Sequence, residues 1–131
     1  MRTALDSSVV IQLQRRQPGW EKWRDTLTRA AAEGPLVICA VVFAECSAGF
    51  PSAEIALREF ESIQVHFDPI SPASAYLAGQ TFLRYQREGG PREQLIPDFL
   101  IAAHATVHAD RLAAIDRGYL RRYFPNLPLL T

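Results

Sequence analysis

The sequence predicts an α/β domain, an α/β/α sandwich with a mostly parallel sheet of four or five short strands. Three observations carry this. Short apolar runs alternate along the chain with stretches at helical spacing. The runs lack the polar alternation of a half-exposed strand, which suits strands covered on both faces. Glycine, proline, serine or aspartate marks most junctions between them. Strands that alternate with helices build a parallel sheet between helical layers.

Thr3–Leu5 reads as the first buried strand. Asp6-Ser7-Ser8 follows as a turn, and VVIQL begins a helix capped by Ser7 or Ser8. A second helix starts after Pro18-Gly19. It places Trp20, Trp23, Leu27 and Ala30 on one face and stops at Gly34-Pro35. Leu36–Cys39 is the next strand, and Ala40–Gly49 continues as a helix whose one charge is Glu45. Ser52 caps a helix with Ala53, Ala56, Leu57 and Phe60 on its apolar face. Val65–Phe67 is a third strand. Ser71-Pro72 opens a long helix running to about Glu88, broken by Gly89-Gly90-Pro91. A helix from IPDFLIAAHA ends near Asp110. Leu112–Ile115 then forms a fourth strand and Leu127–Leu130 a fifth.

The bulk properties bound the class. The 131 residues fit one domain spanning 1–131, large enough to fold without disulfides. A composition 48% hydrophobic and 21% charged is that of a globular protein rather than a disordered one. No run approaches the roughly 18 apolar residues of a membrane span, and the N-terminus lacks a signal-peptide pattern. The expectation is a cytoplasmic protein with no membrane partner. Two cysteines, Cys39 and Cys46, make neither a disulfide framework nor a zinc pattern. The net charge is zero, but Lys22 is the one lysine among 14 basic residues. The arginines suit bidentate contact with phosphate, so neutrality does not exclude a nucleic-acid partner.

Four acids draw the chemistry together. Asp6 and Asp116 each end a predicted strand, Asp98 begins a helix and Glu45 lies within one. In open α/β sheets ligands bind outside the carboxyl ends of the strands, near a switch in strand order. Carboxylates gathered there repel one another unless a divalent cation joins them, and oxygen donors suit Mg²⁺ or Mn²⁺. Each acid also has a plainer role. Asp6 fits a helix cap, Asp98 a helix-start acid worth roughly 0.3–1 kcal/mol, and Asp116 a turn residue. Glu45, flanked by Val41, Val42, Phe43 and Ala44, needs a partner, a metal or a solvated face.

The ordered pieces ALDSSVVI, VVFAEC, IPDFLIAAHA and AAIDRGYLRRYF resemble those of the PIN-domain nucleases, more narrowly the VapC-type toxins of type II toxin–antitoxin pairs. The resemblance spans nearly the whole chain. It implies a Mg²⁺- or Mn²⁺-dependent endoribonuclease with Asp6, Glu45, Asp98 and Asp116 as metal-binding and catalytic acids. Ser8 matches a small polar residue that supports the first acid. The chain departs from the family pattern at Ala114, where many members carry threonine or serine, and at Gly118, where many carry a second aspartate. The implied partners are a cognate antitoxin, an RNA substrate and a second copy of the chain. An antitoxin arginine reaching the acids would neutralise them as a metal does. The Trp20/Trp23 helix and the Ser52–Ser62 helix offer an apolar groove for an antitoxin helix.

Arg117, Arg121 and Arg122, with Arg84, Arg87 and Arg92, are the candidate RNA clamps, or else a solvated arginine face. Tyr119 and Tyr123 suit base stacking or packing on the sheet. His104 lies about 240° around a helix from Asp98, which gives it a packing or interface role. Two other classes compete. One is a PIN domain with a degenerate metal site that works by binding, favoured by Ala114 and Gly118. The other is a haloacid-dehalogenase-like phosphatase using Asp6. That class wants a second acid where Ser8 stands and a lysine near the site, whereas Lys22 lies in the tryptophan helix.

Overall fold

A computed structural model describes residues 1–90, 96–115 and 118–131. Five strands form one parallel sheet: β1 (Thr3–Leu5), β2 (Leu36–Ile38), β3 (Val65–Phe67), β4 (Arg111–Ala113) and β5 (Leu129–Leu130). Their spatial order is β3-β2-β1-β4-β5. Ala4 of the central strand pairs with Val37 on one side and Leu112 on the other. The predicted α/β class and parallel sheet are thus observed.

The helices are α1 (Ser7–Gln14), α2 (Trp20–Glu33), α3 (Ala40–Ser47), α4 (Ala53–Ser62), α5 (Pro72–Arg87), α6 (Ile96–His108) and α7 (Tyr119–Tyr123). Parallel neighbours are joined by right-handed crossovers. The chain steps from β1 to β2 to β3 in one direction, then returns past β1 to β4 and β5. This reversal sends α1–α4 to one face and α5–α7 to the other. Contacts agree, with α1 against α2 and α3, and α5 against α6.

Local chemistry sets most boundaries. Ser71 and Ser74 form a reciprocal capping box at the start of α5, with Pro72 in its first turn. Ser52 accepts from the Ile55 N–H at 3.1 Å and starts α4. The end of α2 lies against the N-terminus, where a Cβ on Gly34 would sit 2.1 Å from the Met1 carbonyl. Several details differ from expectation, among them β5, which begins at Leu129 rather than Leu127, and the short α7, which the sequence did not mark as a helix. The cap of α1 is Asp6, not Ser7 or Ser8, because the aspartate is the last extended residue and its carboxylate accepts from the Ser8 N–H. Strand β2 stops at Ile38, since Cys39 serves as the N-cap of α3. Strand β4 is Arg111–Ala113 rather than Leu112–Ile115, one residue earlier at its start and shorter at its end.

Phe99, fully buried, centres one helical layer. Its ring lies 5.5–6.2 Å from those of Phe82, Tyr85, Tyr119, Tyr123 and Phe124, drawn from α5, α7 and the residue after α7. The two tyrosines of α7 therefore pack on the aromatic layer. Of the α2 tryptophans, Trp23 packs on the core, while Trp20 lies between the guanidinium groups of Arg16 and Arg24 at 5.0 and 5.1 Å. Phe99→Ala should lower stability by about 3–5 kcal/mol in urea unfolding, against about 0.5 kcal/mol or less for Leu83→Ala on exposed α5 surface.

Candidate functional site

Asp6 ends the central strand and is only 3% exposed. Its N–H donates to the Ala113 carbonyl at 2.9 Å, which locks it to β4. Its Oδ2 accepts from the Ser8 N–H at 3.2 Å and from the Ser8 hydroxyl. A buried carboxylate needs such donors, and the positive end of α1 adds to them. The Ser8 hydroxyl in turn faces the Ile115 N–H at 3.5 Å, just past β4. Asp6 therefore stands where strand order reverses between β1 and β4, the place such sheets offer to ligands. Capping does not exhaust it, because an ionised carboxylate has about four lone-pair sites.

Glu45 joins this edge through one hydrogen bond. The Ser7 hydroxyl donates to Glu45 Oε1 at 2.7 Å, tying α3 to the residue beside Asp6. Glu45 itself is exposed, so both a partner and a solvated face answer the question its apolar neighbours raise. The nearby Cys46 thiol senses both acids. Burial pushes the Cys46 thiol up to about 11; the Glu45 and Asp6 charges add to this, while the Ser7 hydroxyl opposes it. Cys39 is also raised, first by burial and with Asp6 contributing. Both cysteines are buried free thiols.

Asp98 lies half-buried in the first turn of α6, and α6 contacts α3, the helix of Glu45. Asp116, Arg117 and Arg92 lie outside the described residues. Among the described residues, no three His, Cys, Asp or Glu side chains come close enough to hold a metal ion as a group. The donor set still fits Mg²⁺ or Mn²⁺ in kind. It is all oxygen, and Mg²⁺ is commonly held by one or two carboxylates with water and phosphate completing its shell. Ala114 is buried, and Gly118 adopts φ of 65° as the N-cap of α7.

Among the candidate RNA clamps, Arg84 and Arg122 make contacts within the protein. Arg84 donates to the Tyr123 carbonyl at 3.3 Å and lies over the Tyr123 ring. Arg122 pairs with Glu88 at 3.0 Å and lies 5.3 Å from the same ring. Arg87 and Arg121 have exposed side chains.

A second polar cluster was not legible in the sequence. His104, 1% exposed, sits on the buried face of α6, and its Nε2 donates to Asp68 Oδ2 at 2.7 Å. Arg2 bonds the other Asp68 oxygen at 2.7 Å, the His108 carbonyl at 2.8 Å and the Asp110 carboxylate at 2.6 Å. His108 Nε2 meets the Ser71 hydroxyl at 2.6 Å. Burial pushes His104 below its ordinary 6.5, outweighing the pull of Asp68, with His108 and Arg2 adding to the lowering. The signal within reach was the spacing of His104 with Ile101 and Ala105, which demands a buried partner. Nothing local pointed to Asp68.

On the other face lies an apolar groove of about 570 Å³. Val10 and Leu13 of α1, Leu27 and Ala31 of α2, Phe60 of α4 and Ile63 line it. It runs between the two helices that the sequence singled out, but its α2 wall is Leu27 and Ala31 rather than the tryptophans.

A family model described as PIN domain matches residues 3–125. Solved structures share the fold. VapBC2 of Rickettsia felis, bound to a promoter DNA fragment, aligns with a TM-score of 0.74 at 20% identity, covering 99% of this chain and 98% of that one. VapBC-1 of nontypeable Haemophilus influenzae gives 0.70 at 19%, covering 99% and 97%. FitAcB of Neisseria gonorrhoeae gives 0.69 at 20%, covering 98% and 96%. No curated protein sequence matches the chain.

The lowered His104 has a pH consequence. The unfolded chain takes up this proton more readily than the folded one, so stability is complete above pH 6.5 and falls as pH drops through 6.5 and below. Urea midpoints measured from pH 7.5 to 5 should decline in the wild type and decline less in His104→Gln. Equal slopes would remove His104 from the effect.

Proposed function

Since the chain belongs to the PIN-domain family, we propose that it is a metal-dependent endoribonuclease and the toxin of a toxin–antitoxin pair. One observation carries this reading: Asp6 sits nearly buried at the carboxyl end of the central strand, gripped by Ser8, with Glu45 tied alongside through Ser7. A nearly buried acid at the switch in strand order is a costly feature unless it serves a ligand. The competing phosphatase reading lacks its second acid, because Ser8 stands in that place and donates to Asp6.

In this reading Asp6, Glu45, Asp98 and Asp116 hold Mg²⁺ or Mn²⁺. The ion would lower the pKa of water and offset charge on the scissile phosphate. Ser8 fixes the rotamer of Asp6, and Ser7 fixes that of Glu45. Hydrolysis adds water across one P–O bond and expels a ribose oxygen. The reading assigns cationic contacts with flanking phosphates to the arginines around the site, Arg87, Arg92, Arg117 and Arg121; Arg84 and Arg122 also brace α7 against α5.

The groove bounded by α1, α2 and α4 is the seat we assign to an antitoxin helix, because its apolar wall suits the apolar face of an amphipathic helix. Exposed Tyr76 and Leu83, seven residues apart on α5, give a second copy of the chain an apolar strip. No described helix is long and apolar enough to cross a membrane.

Purified protein incubated with a pool of cellular RNAs should yield discrete fragments with Mg²⁺ or Mn²⁺ and none with EDTA. Asp98→Asn and Glu45→Gln should each reduce cleavage by about 100-fold or more. Failure to cut any RNA, with no Mn²⁺ binding by calorimetry, would instead favour a domain that acts by binding. The complex with its antitoxin should cleave nothing and bind Mn²⁺ weakly; strong Mn²⁺ binding by the intact complex would count against occlusion of the acids.

A further inference from the structure

We propose that Asp68 is a positioning residue for the acidic site: through His104 it holds α6 in register and so places Asp98. This rests on the nuclease reading and extends it to a cluster outside the four acids.

Helix α6 buries two large apolar side chains, Phe99 and Ile101, in its first two turns. The rest of its described buried apolar face is Ala102, Ala103 and Ala105, whose methyl groups specify little about rotation or slide. Apolar contacts are non-directional. His104 adds a directional one, five residues beyond Phe99 and therefore about 7.5 Å along the axis. Its bond to Asp68 Oδ2 at 2.7 Å is directional, and its imidazole is only 1% exposed. Slipping α6 would leave that buried imidazole without its partner, and a buried polar contact of this kind can fix register.

Asp68 is itself held firmly. Its N–H donates to the Ile38 carbonyl at 2.8 Å, extending the β2–β3 ladder by one residue. Its Oδ1 accepts from Arg2 at 2.7 Å. Arg2 immediately precedes β1, whose far end carries Asp6, and also grips the His108 carbonyl at the end of α6. One carboxylate therefore refers α6, the bearer of Asp98, to the sheet that bears Asp6.

The test compares Asp68→Ala with Asp68→Asn. Both remove the charge and the ion pair with Arg2, but the asparagine carbonyl can still accept from His104. Mn²⁺ affinity by calorimetry should fall about tenfold in Asp68→Ala and return to within about twofold of wild type in Asp68→Asn. RNA cleavage should fall on the order of 10–100-fold in the alanine variant. In an Asp98→Asn background, Asp68→Ala should cause no further loss of Mn²⁺ affinity. Wild-type affinity in Asp68→Ala, or equal losses in both variants, would overturn the proposal. Hydrogen exchange of the Phe99–Ala103 amides reads the register without metal. It should speed up in Asp68→Ala and not in Asp68→Asn. That arm decides the proposal even where the wild type binds no Mn²⁺, a result that would sink the nuclease reading alone. Unchanged exchange in Asp68→Ala would overturn the positioning role directly.

Discussion

A carboxylate taken almost out of water at the end of the central strand is the constraint around which the surrounding structure is arranged. Asp6 cannot be buried without donors, and the two nearest in sequence, the N–H and hydroxyl of Ser8, become available only if the chain turns at once into α1. That turn also directs the Ser7 hydroxyl to Glu45 and so brings α3 to the same edge. The backbone N–H of Asp6 is spent on Ala113, which pins β4 beside β1. Local capping, sheet pairing and the approach of α3 to this edge follow from one residue.

The reversal of strand order does the rest. Because β1 has β2 on one side and β4 on the other, the crossovers fall on opposite faces and part beside Asp6. The two layers are built differently. One is an aromatic cluster around Phe99, braced by Arg84 and Arg122 against Tyr123. The other mixes aliphatic side chains with a smaller cluster of Phe43, Phe50 and Phe60, and it leaves the groove beside Leu27 and Phe60 open.

Much of this was legible because the relevant signals are local. Unbroken apolar runs marked β1 to β4, Ser52 and Ser71 marked two helix starts, and Gly34-Pro35 marked a helix end. Asp6 was legible as a strand-end acid, but its capping was assigned to the serines behind it; both readings satisfy the same pattern, and only the backbone conformation separates them. Helix α7 is five residues long, too short for a periodic signal beyond Tyr119 and Tyr123. The contact of His104 with Asp68 joins residues 36 apart across the β3–α5 turn, and no spacing encodes it. Arg84 and Arg122 looked like surface charges, since cation–π partners are set by tertiary packing. An association of Asp6 with Glu45 was expected from the family resemblance; the Ser7 hydroxyl that bonds Glu45 beside Asp6 was not.

The most direct measurement is the anomalous diffraction map of a crystal soaked in Mn²⁺. A single-site or paired peak within coordination distance of an Asp6 oxygen, shared with at least one of Glu45, Asp98 and Asp116, is the predicted result. Saturating Mn²⁺ that leaves no peak at Asp6 would reduce that carboxylate to a helix cap and contradict the nuclease reading at its root.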